Sequence, residues 1–165
     1  MNYLTYEDVR NLNFKLQKLG YKDAEPYVSD DSLIRSILHG AEHSVYFGTD
    51  KYPTVEEKAV HMWFLITGFQ AFSNGNKRTG LVSMLSMLYI NGKTLNLNSK
   101  KVCTQLYDWT KKIATNHCEE KDLLAFVMTN EEPCNENKDL TASKSLDYIL
   151  SMPKMKSIIE RLANE

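Results

Sequence analysis

The chain has 165 residues, of which 42% are hydrophobic and 25% charged. That mixture supplies enough apolar surface to close one core, so disorder throughout is excluded and two separate domains would be cramped. Lys plus Arg is 20 and Asp plus Glu is 21, giving a formal net charge of −1. A chain that wraps a nucleic-acid backbone carries a basic excess, so no nucleic-acid partner is expected.

Cys103, Cys118 and Cys134 are odd in number and widely spaced. This suits a reducing cytoplasm better than a disulfide framework, and no CxxC metal knuckle occurs. The N-terminus is polar and acidic, without a basic stretch leading into an apolar run. The most apolar stretches, residues 59–72 and 81–90, are too short to span a bilayer. A cytoplasmic protein without a membrane partner is the expectation. With only 7 glycines and 4 prolines, a sandwich or barrel full of tight turns is disfavoured, and an all-α chain is expected.

In chain order, Thr5 precedes Glu7 and Asp8 as an N-cap before acidic residues. Val9, Leu12, Leu16 and Leu19 then share one helical face, and Gly20 is a natural stop. Asp30 or Asp31 caps a second helix carrying Leu33, Ile34, Ile37 and Leu38, with Gly40 as its expected end. Ser44, Val45, Tyr46 and Phe47 are β-prone and closed by Gly48, which reads as an extended flap or half-hairpin. Thr54 with Glu57 three residues on is a capping box. The helix from Val55 to about Phe69 is apolar on nearly all faces, as is the stretch 81–90, and such helices are normally central. Further helices are expected around Val102, Leu106, Trp109 and Ile113, and over residues 119–128. Residues 131–138 are polar, contain Pro133 and read as a linker. Two short amphipathic pieces follow, one with Leu146, Ile149 and Leu150, the other with Met155, Ile158, Ile159 and Leu162.

The polar loop 70–80 between the two central helices is the expected functional region. It feeds into a helix at about Lys77, and free amides at a helix N-terminus favour an anion. Gly75 permits a positive φ, so successive amides can converge into a nest. Lys77 and Arg78 add positive charge, and Arg can grip phosphate with two parallel bonds. Phe72 anchors the loop. The pattern suits phosphate but is not a Walker A loop, because GxxxxGK followed by Ser or Thr is absent. An ordinary Asn-Gly turn with solvated Lys and Arg would look similar on spacing alone.

Phe72, Asn74, Gly75, Asn76, Lys77 and Arg78 match the signature His-x-Phe-x-Asp/Asn-Gly-Asn-Lys-Arg. The chain thereby resembles the Fic/Doc (Fido) family, in its death-on-curing branch. Residues 4–9 resemble that branch's opening helix, and residues 52–59 resemble its entry to the central helix. The similarity runs over roughly residues 1–130, taken as the core domain, with 131–165 as linker and C-terminal helical extension. The Fic subtype would need Gly at Lys77 and Arg at Leu81. The resemblance implies an all-α Fido-type bundle with a short β-flap. It also implies an ATP-using transferase that moves phosphate, or AMP in Fic members, to a hydroxyl of a protein target, with a translation elongation factor as the known target type. In family terms Asn74, Gly75, Asn76, Lys77 and Arg78 bind the nucleotide phosphates, with Asn76 and Arg78 counted as catalytic. Asn74 supports Mg2+, and the flap at Val45, Tyr46 and Phe47 aligns the target by strand addition. A toxin–antitoxin or phage-related setting, with a possible antitoxin partner, follows from the branch.

Two positions depart from the pattern. Gln70 stands where the family has its general-base histidine, and glutamine cannot accept a proton in the useful pH range. Asn74 is neutral, whereas Mg2+ prefers charged oxygen ligands. Three readings of Gln70 are open: a degenerate member that binds without turnover, a slow enzyme relying on positioning and electrostatics, or an active member whose histidine has been exchanged. The alternative to an enzyme is a non-catalytic Fido module acting through a protein partner.

His39, Glu42 and His43 fit the zinc-protease pattern H-x-x-E-H, which needs one uninterrupted helix, and Gly40 is expected to end it. These histidines therefore read as loop residues near the flap. His61 reads as a satisfied core histidine, and His117 beside Cys118 has no matching pair. Residues 145–155 loosely resemble the Tyr-Leu-Leu-Ser-x-Pro stretch of Phd/YefM-type antitoxins. A tail of that kind in cis would cover the nucleotide or target site; the simpler expectation is a helical hairpin completing the fold. The inhibitory pattern Ser/Thr-x-x-x-Glu-Gly/Asn does not occur.

Overall fold

A computed structural model describes residues 1–20, 30–134 and 140–163. Among these the chain forms eight helices: α1 (Tyr6–Gly20), α2 (Asp31–Glu42), α3 (Val55–Phe69), α4 (Asn76–Tyr89), α5 (Lys100–Ala114), α6 (Glu120–Asn130), α7 (Ala142–Ser151) and α8 (Pro153–Ala163). Two small antiparallel sheets complete them. Strands β1 (Val45–Tyr46) and β2 (Thr49–Asp50) form a hairpin, and β3 (Lys93–Leu95) pairs with β4 (Glu131–Pro133). The fold is an all-α bundle with a short β-flap. Among the described residues no helix is long and apolar enough to cross a membrane.

The caps anticipated from sequence set the helix starts. The Thr5 hydroxyl accepts from the Asp8 amide at 3.1 Å while Asp8 accepts from the Thr5 amide at 2.9 Å. Asp30 caps α2 by accepting from the Leu33 amide at 3.0 Å. Thr54 and Glu57 form the reciprocal box that opens α3. Each cap satisfies amides that a helix start leaves without partners.

Helix α4 is the axis of the molecule. Every residue from Arg78 to Tyr89 is buried, with α3 packed most extensively along it and α1, α5, α7 and α8 around the remainder. The two C-terminal helices share this core. Leu146 and Ile149 of α7 and Met155, Ile158, Ile159 and Leu162 of α8 are buried in it. The Ser145 hydroxyl of α7 donates to Ser86 of α4 at 2.5 Å, so the hairpin docks on the central helix by polar pairing as well as apolar contact.

Two expectations are corrected. Gly40 does not stop α2, which continues to Glu42. Ala41 extends the buried stripe of Ile34, Ile37 and Leu38 by another turn, and that burial outweighs the glycine penalty. Residues 131–133 are not linker: they pair with β3, Leu95 standing opposite Glu131. Residues 135–138 of the expected linker lie outside the described residues.

Candidate functional site

The site grows out of the junction between α3 and α4. Helix α3 ends on Gln70, whose backbone is left-handed at φ 53 and ψ 47, an uncommon conformation for a side chain without a special fit. The chain then dips into the core through Ala71 and Phe72. Asn76 holds it there. Its side-chain carbonyl accepts from the Phe72 amide and its side-chain amide donates to the Phe72 carbonyl, both at 3.0 Å. The side chain expected to meet phosphate thus serves first as a clamp that shapes the loop.

Gly75 carries the second turn. Its φ of 78 and ψ of 19 are left-handed, and it stands as the N-cap of α4. Asn74 accepts from the Gly75 amide through Oδ1 at 2.7 Å. A Cβ at Gly75 would lie 3.2 Å from Arg78 Nη2 and 3.3 Å from Asn13 Nδ2, so both torsion and space call for glycine. Gly75 brings no capping side chain, and the first amides of α4 project from the helix end.

Two residues that sequence reasoning missed support the loop from α1. Asn13 donates to the Asn74 carbonyl and to the Thr79 hydroxyl, each at 3.0 Å. Gln17 donates to Asn13 Oδ1 at 2.5 Å and lies 3.5 Å from the same Asn74 carbonyl. Both are buried. The signal for them was present: a polar i,i+4 pair set into the apolar stripe of Val9, Leu12 and Leu16.

These elements surround an open pocket of about 250 Å³. Gln70, Asn74 and Lys77 border it, with Thr67 of α3 on one wall and Ala114 and Leu162 on another. Gln70 and Asn74 are exposed and Lys77 is half-buried. Arg78 borders the pocket but is only 2% exposed, and its Nη1 donates to the Leu16 carbonyl at 3.0 Å. Its guanidinium is therefore held between α1 and the loop, where it supplies fixed positive charge beneath Gly75. One of the two terminal nitrogens expected to grip phosphate is thus engaged by the Leu16 carbonyl, and Nη2 lies beside Gly75.

The flap residues lie at the other end of α3. Val45 pairs with Asp50 and Tyr46 with Thr49, and Phe47 (φ 51) and Gly48 (φ 80) make the two-residue turn. Positive φ at both turn residues gives the mirror-image turn that suits hairpin twist. Phe47 is fully exposed at 108%, and Val45 and Tyr46 are exposed beside it. The hairpin base is pinned by a short hydrogen bond from Ser44 to Asp50 and by the buried Lys58, whose Nζ donates to the Ala41 carbonyl at 2.6 Å and to Ser44 at 3.0 Å. The Ser44 hydroxyl bond holds the Asp50 carboxyl below its usual range. Between hairpin and helix lies a cleft of about 580 Å³ bordered by Tyr46, Phe47, Tyr52 and His61. His61 is paired with Glu120 at 2.9 Å and stacked on Tyr52 with ring centres 4.1 Å apart, as a satisfied histidine should be.

His39 and His43 stand on the last turn and cap of α2, with ring centres 4.5 Å apart, and not in a loop. Among the described residues no group of three or more His, Cys, Asp or Glu comes together to hold a metal ion.

A family model described as the Fic/DOC family matches residues 3–88, which is more than half of the chain. The chain belongs to the Fic/DOC family. The matched span runs from α1 through α4, so it contains both the flap and the loop. No curated protein matches the chain. Fic/DOC proteins modify protein targets and generally use ATP with Mg2+. The residues present fit the phosphates of ATP: the pocket has Lys77, a helix N-terminus, and a Thr67 hydroxyl that is buried without a hydrogen-bond partner among the described residues. They do not fit Mg2+ as well. Among the described residues no Asp or Glu borders the pocket, and the one side-chain oxygen assigned to the metal, Asn74 Oδ1, accepts from the Gly75 amide.

Proposed function

We propose that this Fic/DOC chain holds the polyphosphate of ATP at the loop between α3 and α4 and a hydroxyl-bearing segment of a protein target at the β1–β2 hairpin. The observation that carries this reading is the α4 N-terminus opening into a pocket that contains Lys77 and, among the described residues, no carboxylate. Such an end attracts phosphate through its amides and dipole together. ATP supplies the group to be moved; the target oxygen would bond to phosphorus as the phosphoanhydride bond breaks, releasing ADP for phosphate transfer or pyrophosphate for AMP transfer.

The geometry of α3 supports a target path. His61 borders the flap cleft and Gln70 the loop pocket, and nine residues of helix separate them by about 14 Å. An extended segment of about four residues spans that distance. Its backbone would pair with the free edge of the hairpin, and its hydroxyl would sit beside Gln70.

In this reading Gln70 takes the place of the family's histidine. Its amide can orient a hydroxyl by hydrogen bonding, but the released proton must go to water. Loss of a general base costs about two to four orders of magnitude in rate. The chain is thus a death-on-curing-like protein of a toxin–antitoxin or phage-related system with impaired transfer, its target of the translation-factor type. Gln70 also favours a second reading, a Fido module that binds a partner without turnover. Gln70→His separates the two. Transfer of radiolabel from ATP, or growth arrest on expression, supports the transferase scaffold. A folded variant with neither supports the binding module.

A further inference from the structure

We infer that the cleft beside the hairpin is a specificity pocket for a tyrosine side chain of the target, with His61 accepting the hydrogen bond of its hydroxyl. The tyrosine stands about four residues from the hydroxyl to be modified and has an acidic neighbour. This rests on the target path proposed above and adds the sequence that the path selects.

The cleft has aromatic walls and one polar point. Tyr46, Phe47 and Tyr52 border it, and so does the His61 ring, which is 12% exposed. Glu120 faces His61 Nδ1 at 2.9 Å. A carboxylate only accepts, so Nδ1 carries the proton of the neutral ring and Nε2 is an acceptor. Among the described residues Nε2 has no hydrogen-bond partner. Tyr52 stacks on the ring with centres 4.1 Å apart, so Glu120 and Tyr52 together fix its orientation. A side chain that fills this cleft is flat and apolar along its body and carries a donor at its tip. Tyrosine meets both demands.

Position and charge complete the description of the occupant. Tyr46 and Phe47 belong to the hairpin itself, so a strand paired on the hairpin edge passes over the cleft. Side chains alternate faces along a strand, so two positions at an even spacing of about four both face α3. An odd spacing turns the tyrosine to solvent. Lys51 borders the cleft with its ammonium 5.5 Å from the Tyr52 ring centre. The carboxylates of Asp50 and Glu120 are engaged by Ser44 and His61. An acidic residue beside the tyrosine complements the charge that Lys51 brings to the rim.

Fluorescence anisotropy with the full chain and short labelled peptides tests this. Each peptide holds a single Thr, with Tyr or Phe at an even spacing of about four on either side, or Tyr at the adjoining odd spacings. At the even spacing, Tyr should bind about fivefold tighter than Phe. Tyr at an odd spacing should bind no better than Ala. Exchanging the acidic neighbour for Lys should weaken binding, and the effect should shrink at high salt. In His61→Phe, which keeps a ring against Tyr52, the Tyr-to-Phe ratio should fall to about one. A ratio taken within one protein does not depend on how much of the variant folds. Equal binding of Tyr and Phe by the wild type, or a preference that survives His61→Phe, overturns the inference and leaves docking at the hairpin standing. No binding of any peptide overturns both, while ATP titration still tests the phosphate site by itself.

Discussion

Asn13 Nδ2 lies 3.0 Å from the Asn74 carbonyl, tying the first helix to a loop 61 residues further along the chain. The bond turns the Asn74 carbonyl toward α1. Of the two groups of the Asn74–Gly75 peptide, the acceptor is thereby withdrawn from the pocket, and a carbonyl facing an anion would be repulsive. Loop, α1 and the start of α4 form one polar unit, with Thr79 taking the second hydrogen of the same Asn13 amide at 3.0 Å.

Asn13→Ala should therefore affect binding and stability together. It removes both bonds and leaves the Asn74 carbonyl with only Gln17 at 3.5 Å. A loss of about 1–3 kcal/mol in urea unfolding is expected, with weaker pyrophosphate binding by calorimetry. Unchanged affinity in a destabilised variant would show that the network holds the fold without shaping the loop.

Gly80 sits where α3 and α4 come closest. A Cβ there would lie 2.1 Å from Thr67 Oγ1, and 3.0 Å and 3.1 Å from the Thr67 amide nitrogen and Trp63 carbonyl. Two of these neighbours are backbone, so the helices must part. Gly80→Ala should lower stability by about 1–3 kcal/mol despite alanine's better helix propensity. Thermal unfolding measures it; a raised Tm would contradict the close approach.

The helix starts were legible because their causes are local. Thr5, Asp30 and Thr54 cap through residues three positions on, and Gly75 turns where Asn-Gly promises a turn. The misreadings share a different cause. Gly40 looked like a stop, but the pull of Ala41 into the core is tertiary. Glu131, Glu132 and Pro133 look like linker, and a three-residue strand is too short to show alternation. The burial of Arg78 depends on the Leu16 carbonyl, 62 residues away. Spacing located the charge at the helix end but said nothing of the side on which it would fold.

Phe47 makes an apolar, fully exposed turn in a conformation that L side chains avoid. Phe47→Gly should keep the hairpin and leave stability unchanged or raised by about 1 kcal/mol, because glycine adopts the left-handed region freely. Capture of the protein target should fall at the same time. Full target capture by the folded variant would remove Phe47 from the contact surface.

The carboxyls of Glu56 and Glu131 form a pair at the foot of the small sheet. Burial raises the Glu131 carboxyl and its hydrogen bond with Glu56 raises it further. Burial also acts on Glu56, but bonds with Lys93 and Glu131 outweigh it and hold that carboxyl low. A raised carboxyl adds stability below its unfolded value, and this is lost as pH rises through the folded value. Glu131→Gln keeps the neutral form at every pH. Its stability relative to wild type should therefore grow from acid toward neutral pH in urea unfolding. A difference that shrinks over that range would contradict the pairing.

The central claim is that the loop between α3 and α4 is a phosphate site. Titration of ATP into the full chain and into Lys77→Ala, with circular dichroism confirming equal helix content, tests it most directly. Saturable one-site binding that weakens about tenfold or more in Lys77→Ala is the predicted result. No binding by the wild type, or equal affinity in both proteins, would contradict it.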